Sequence, residues 1–214
     1  MVFSLDTSIP AELGPLSWLI GVWEGTGVID YAVDPEGGGE PAHRSAEFGQ
    51  RVSFSHDGLP YLNYASSTWL LPATPPESDS ALDQIAHVAE SGYWRLHRPA
   101  VDADPGPGML PGVGERAYTT AEEVETLRGA HGGFDIEAAI IHPTGVSEFY
   151  LGRVDGPRID LATDAVLRSA NAKPYAAATR LYGLVEGHLL WAWDMAALGQ
   201  SLRTHASARL ERVD

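Results

Sequence analysis

From Phe134 onward the chain alternates short apolar-rich runs with turn signals at nearly constant spacing, and this rhythm limits the fold more than any other feature. Strands are expected over 134–141, 147–154, 158–165, 176–185, 188–196 and 202–211. The turns between them carry Pro143-Thr144-Gly145, Asp155-Gly156, Glu186-Gly187 and Leu198-Gly199. Strands at such intervals imply a sandwich or an up-and-down barrel. Three more precede them, over 46–54, 61–71 and 84–96. The first two are joined through His56-Asp57-Gly58, a strong hairpin signal, and the third has an expected break at Ser91-Gly92. With the stretch from residue 21, about ten strands result. The expectation is an all-β chain, residues 1–214 forming one domain. Its form is a single antiparallel up-and-down barrel whose interior can hold a small ligand.

The first strand holds an unusual cluster, Gly21-Val22-Trp23-Glu24-Gly25-Thr26-Gly27. Glycine inside a strand costs stability and needs a reason. One reading is close approach of a second backbone where a sheet bends to close a barrel, with Trp23 filling one end of it. The other is a glycine-rich turn beside a core tryptophan. A dinucleotide-binding loop is excluded, because strand-like residues rather than a helix follow the glycines.

Elsewhere the pattern breaks. Residues 7–20 read as one or two short helical turns, capped by Thr7 or Ser8 with Pro10 just inside and interrupted at Gly14-Pro15. Segments 34–44 and 72–83 are polar loops containing proline. Segment 98–133 reads as an insertion in the β body. Thr120-Ala121-Glu122-Glu123 matches a capping box, and the helix it starts runs to about Leu127 and closes at Gly129. Such an insertion is expected to decorate the barrel, and placed over its mouth it would limit ligand entry.

Composition removes several function classes. The 214 residues carry 29 acidic and 14 basic side chains, a formal charge of −15. A nucleic acid or an anionic membrane surface would repel such a chain. With no cysteine there is no disulfide, thiolate metal site or cysteine nucleophile. The N-terminus lacks a basic leader region, and no run of about 18 apolar residues appears. The expected location is the cytoplasm.

The eight histidines form neither His-x-Glu nor His-x-x-x-His pairs, which argues against a protein-ligated zinc site. No Gly-x-Ser-x-Gly elbow or phosphate loop is present. Arg180 and Tyr182, two residues apart, share one face of a strand. Facing inward they would hold a carboxylate, and facing outward Arg180 would pair with an acidic neighbour. Alternation around His205 places it with Arg203 and Arg209, opposite an apparently buried set of Thr204, Ala206, Ala208 and Leu210. An inward His205 would need a bulge.

Taken together these motifs resemble the nitrobindins, haem-binding β-barrels related in shape to fatty-acid-binding proteins. The resemblance rests on Gly21-x-Trp23-x-Gly25-x-Gly27, His56-Asp57-Gly58 and His87-x-x-Glu90-Ser91-Gly92-Tyr93-Trp94-Arg95. It extends through His142-Pro143-Thr144-Gly145, Ala172-Lys173, Thr179-Arg180-Leu181-Tyr182-Gly183, Asp194-Met195 and His205-Ala206-Ser207-Ala208-Arg209-Leu210. The chain looks like the longer, actinobacterial-type members described as peroxynitrite isomerases. The resemblance implies a ferric b-type haem with His205 as the proximal axial ligand to iron. It also places His87 and Met195 along the haem pocket, and Lys173, or alternatively Arg180, against a propionate. Gly21, Trp23, Gly25 and Gly27 are then a structural signature. The implied activity is isomerisation of peroxynitrite to nitrate at the iron, with reversible nitric oxide binding as a companion and no general acid or base from the protein. A haem-free carrier of a fatty acid or other apolar carboxylate, held by Arg180 and Tyr182, is the alternative. A non-catalytic sensor using segment 98–133 as its partner surface is a third. Oligomeric state is not legible in the chain, and a homodimer is the expectation to test.

Overall fold

The computed structural model describes residues 9–33, 42–72, 85–130, 132–197 and 203–214. Ten strands form one closed antiparallel barrel: β1 Gly21–Val33, β2 Ala42–Ser55, β3 Leu62–Leu70, β4 Ile85–Leu96, β5 Phe134–His142, β6 Val146–Asp155, β7 Arg158–Arg168, β8 Tyr175–Val185, β9 His188–Ala197 and β10 Arg203–Arg212. Each strand pairs with its sequence neighbours, and β1 closes onto β10. The strands alternate as expected. On β4, Glu90, Gly92, Trp94 and Leu96 are buried while Ser91, Tyr93 and Arg95 are exposed. The break expected at Ser91-Gly92 is absent, since β4 runs through it paired on both sides.

The closing seam accounts for the glycine motif. Gly25 lies opposite Leu210 and Gly27 opposite Ala208. A Cβ on Gly25 would collide with the Arg209 carbonyl, and one on Gly27 with the Ser207 carbonyl and the Phe48 ring. Close backbone approach at the seam is therefore the correct reading, and the turn reading falls. Trp23, 1% exposed, packs at the end of the barrel where the strand begins, its indole N–H donating to the Leu19 carbonyl at 2.7 Å.

That end is plugged. Residues Ala11–Leu19 form one continuous 3₁₀ helix through Gly14 and Pro15, not two turns, and Pro10 rather than a side chain stands at its N-cap. Thr7 and Ser8 lie outside the described residues. Leu13, Leu16 and Leu19 are fully buried by the barrel, each stabilising the fold by roughly 1.5–3 kcal/mol.

Strand direction then fixes what lies where. The β2–β3, β4–β5, β6–β7 and β8–β9 connections are on the plugged side, and the β1–β2, β3–β4, β5–β6, β7–β8 and β9–β10 connections are at the far end. Segment 98–133 is the β4–β5 connection, so it decorates the plugged end and does not cover the far mouth. Arg98 fastens it there. The Arg98 guanidinium donates to Glu12 of the 3₁₀ helix at 2.7 Å and to Asp104 at 2.7 Å. Those hydrogen bonds hold the Asp104 carboxyl down at about 2. Within the segment, α1 Ala121–Glu125 carries the expected capping box on Thr120 and Glu123, but ends two residues short of Leu127. No helix among the described residues is long and apolar enough to cross a membrane.

Candidate functional site at the far end of the barrel

Two histidines line a cavity at the far end, and both stand at bulges. Thr204 pairs with Asp194 and Ala206 with Trp193, so His205 is an extra residue on β10 with no opposite number on β9. A bulge inserts one residue and resets the alternation beyond it. His205 and Ala206 consequently both face the same cavity. Thr204 is exposed and drops out of the expected buried set. On β4 the same device recurs. Ser67 pairs with Ala89 and Trp69 with Ala86, leaving His87 and Val88 opposite Thr68 alone. The Thr68 hydroxyl takes the place of the missing peptide, accepting from the Val88 N–H and donating to its carbonyl, both at 3.1 Å. His87 and Val88 both line the cavity.

This cavity, of about 80 Å³, is walled by Phe48, Val52 and Trp191 and floored by polar groups that include Gln50, Ser66, Glu90 and Arg180. A space of that size holds two or three waters at roughly 30 Å³ each. Beside it lies a larger depression of about 460 Å³, lined by Lys173, Met195, His142 and Tyr175 among others. Its volume falls in the roughly 300–1,000 Å³ range of small-molecule sites. Trp193 belongs to both linings. Its ring meets His205 edge-on, with centroids 5.7 Å apart and planes at 86°, and stacks on His142 at 6.1 Å and 17°.

Beneath both spaces is a buried ionic network of which the sequence reading assigned only Arg180 to a site. Arg180 is inward and 3% exposed. Its two terminal nitrogens grip Glu90 in a bidentate pair, each bond 2.9 Å, and one also reaches Glu148 at 3.2 Å. Its Nε–H donates to the Tyr150 hydroxyl at 3.0 Å. Glu90 accepts in addition from Tyr64 at 2.7 Å. Glu148 accepts from Tyr150 at 2.6 Å, from Tyr175, and from His142 Nε2 at 2.7 Å. The imidazole is the donor in the last bond, since an ionised carboxylate can only accept.

Electrostatics follow from these bonds. Burial by itself would push the Glu90 carboxyl up, but the Arg180 charge and hydrogen bonds outweigh it and hold the group at about 2. Glu148 is also held below its ordinary value, burial being overcome by the hydrogen bond from His142, the Arg180 charge and the tyrosine hydroxyls. Burial, followed by the nearby carboxylate Glu90, raises Tyr64 well above the ordinary phenol range. The ring hydroxyls therefore serve as donors and stay protonated.

This network bears on one sequence expectation. Arg180 does face inward with Tyr182, as one of the two readings had it, and its guanidinium donates to Glu90, Glu148 and Tyr150. Lys173, exposed on the β7–β8 connection, and Met195 on β9 sit together on the larger depression, while His205 and His87 sit together on the smaller cavity. Glu90, Glu148, His142 and Trp193 were not singled out as site residues. A signal existed for the two glutamates. Each lies on the buried parity of its strand, Glu90 with Trp94 and Leu96, Glu148 with Tyr150 and Val154, and a charged residue there requires a partner.

The residues present fit a haem group. An imidazole at the cavity wall can ligate iron, a thioether and indoles give apolar contact, and an ammonium stands where a carboxylate can reach it. Among the described residues no group of three or more His, Asp or Glu side chains is arranged to hold a bare metal ion.

A closed ten-stranded barrel, plugged at one end and carrying histidines on bulges at the other, defines the class: a β-barrel with a ligand site in its mouth. Residues 12–212 match the family described as THAP4-like, heme-binding beta-barrel domain, and the chain belongs to that family. Among its relatives, the peroxynitrite isomerase of Leifsonia xyli subsp. xyli is 62% identical over 213 residues, covering the whole of both chains. The peroxynitrite isomerase of Kocuria rhizophila is 47% identical over all of this chain and 97% of its own. The crystal structure of Rv2717c from M. tuberculosis shares the fold, with a TM-score of 0.63 and 24% identity over 96% of this chain and 99% of that one.

Proposed function

We propose that this protein binds ferric haem b in the mouth of the barrel and isomerises peroxynitrite to nitrate there. The observation that carries this reading is the bulge at Thr204–Ala206, which brings His205 into the cavity wall against the alternation of its strand. Bulges cluster where a side chain must be re-aimed at a site.

In this reading His205 would hold the iron, and the edge-on contact with Trp193 restricts rotation of its ring. Lys173 would pair with a haem carboxylate, and Met195 and His87 would give contact along the walls. When bound, the haem iron supplies the coordination position at which peroxynitrite rearranges and at which nitric oxide binds reversibly. The chain's own part is to bind and orient that group and to exclude bulk water with Phe48, Val52, Trp191 and Trp193. Glu90 and Glu148 are held ionised and Tyr64 protonated, so none of the three is poised to move a proton near neutral pH. A rearrangement that needs no net proton transfer suits such a floor. All of these residues belong to one chain.

The test is rapid mixing of the haem-loaded protein with peroxynitrite. A first-order decay that scales with loaded protein and yields nitrate in place of nitrite is the expected result. Decay no faster than with an equal amount of His205→Ala protein and free haem would refute it.

A further inference from the structure

Five tryptophan indoles among those the barrel buries can be compared by what they donate to. Trp23 donates to the Leu19 carbonyl and Trp191 to the Gln50 side chain, both at 2.7 Å. Trp18, Trp94 and Trp193 have buried indole N–H groups with no hydrogen-bond partner among the described residues. Trp18 and Trp94 line neither of the two mouth cavities, whereas Trp193 lines both. Trp191 and Trp193 stand on the same face of β9, two residues apart. The fold therefore satisfies one of the pair and leaves the other, whose ring lines a ligand-sized space, unmet. A buried donor without an acceptor is costly, and an acceptor that arrives with a ligand removes that cost.

The surroundings of Trp193 specify the acceptor. The Arg180 guanidinium carbon lies 4.3 Å from its ring centroid, and Lys173 lines the same depression. The nearby carboxylates are occupied: Glu90 by Arg180 and Tyr64, Glu148 by His142, Arg180 and two tyrosines. An incoming oxyanion would meet a positive side chain on the rim and, once the Trp193 ring turns, an unused donor. We propose that Trp193 is a ligand-orienting residue of this site, its indole N–H donating to an oxyanion of the bound group. The oxyanion is either a carboxylate of haem or a small free anion held at the same wall. The inference rests on the haem reading of the site.

The full chain and Trp193→Phe, which keeps a ring but removes the donor, are each titrated with ferric haem and with its dimethyl ester. The haem-loaded proteins are then titrated with nitrite as the free oxyanion. A charge-assisted hydrogen bond is worth roughly tenfold or more in affinity. If the acceptor is a haem carboxylate, the variant binds haem about tenfold more weakly and the ester unchanged. If it is a small anion, both porphyrins bind unchanged and nitrite binds about tenfold more weakly. Equal weakening for haem and ester shows that the ring is only a wall, and overturns the proposal. No change in any titration does so as well. Failure of the wild type to bind haem saturably would bring down the haem reading itself, a distinct outcome. Should the variant not fold, the wild-type indole resonances carry the test with zinc protoporphyrin and its ester. A downfield shift of one N–H that the free acid alone produces supports the carboxylate, a shift produced by nitrite in the loaded protein supports the small anion, and an N–H that neither moves overturns both.

Discussion

Replacing Arg180 by methionine removes the cation on which the interior network depends, and the consequences can be worked out in size and sign. Glu90 is held at about 2 against an ordinary value of 4.5. At about 1.4 kcal/mol per pH unit, that gap corresponds to roughly 3 kcal/mol of stability. Because the folded value is the lower one, this contribution is fully present above pH 4.5 and is lost as pH falls toward 2. In Arg180→Met, burial is the dominant influence left on Glu90, and it acts upward. The folded value then lies above 4.5, so the sign reverses and the variant loses stability as pH rises through the range where Glu90 must ionise. Breaking a buried pair from one side costs about 3–5 kcal/mol. The assay is urea unfolding of the haem-free protein between pH 4 and 8, comparing midpoints and slopes. The expected result is a loss of about 3–5 kcal/mol at pH 7 that shrinks toward pH 4. Arg180→Met combined with Glu90→Leu should recover a large part of the loss. A single variant that loses less than about 1 kcal/mol, with an unchanged dependence on pH, would refute the argument.

Two further outcomes follow from the plugged end and the seam. Gly25→Ala forces a methyl group onto the Arg209 carbonyl, an overpacking of backbone that should cost about 1–3 kcal/mol or more; denaturant midpoints would show it, and a neutral result would mean that β1 and β10 are not in close contact. Arg98→Met strands the buried carboxylate of Glu12 and frees segment 98–133 from the helix; limited proteolysis should then cut within 98–133 faster than in wild type while the haem titration stays unchanged, and a changed titration would place the segment at the mouth after all.

Local chemistry made most of the barrel legible. Turn pairs such as Glu186-Gly187 and the alternation of β5 mark their elements without help from the rest of the chain. The glycine motif left two readings open, because what fills the space above Gly25 is a backbone about 185 residues away. The end to which 98–133 belongs was within reach: in an up-and-down barrel the connection after an even strand returns to the side where the first strand began. The bulges at His205 and His87 were not. Strand parity is a period-two argument, and one inserted residue reverses it without any mark in composition. Arg180 could be placed on a face but its partner could not, since Glu90 is 90 residues away in sequence and Glu148 belongs to another hairpin. The buried parity of both glutamates shows that a charge is buried, while only the closed sheet shows which cation meets it.

The most direct test of the central claim is a visible-absorption titration of the haem-free protein with ferric haem, wild type beside His205→Ala. The account predicts saturable one-to-one binding with the spectrum of a histidine-ligated ferric haem in the wild type, and loss of that spectrum in the variant. Identical weak, unsaturable binding by both proteins would contradict it and remove His205 from the role that its bulge suggests.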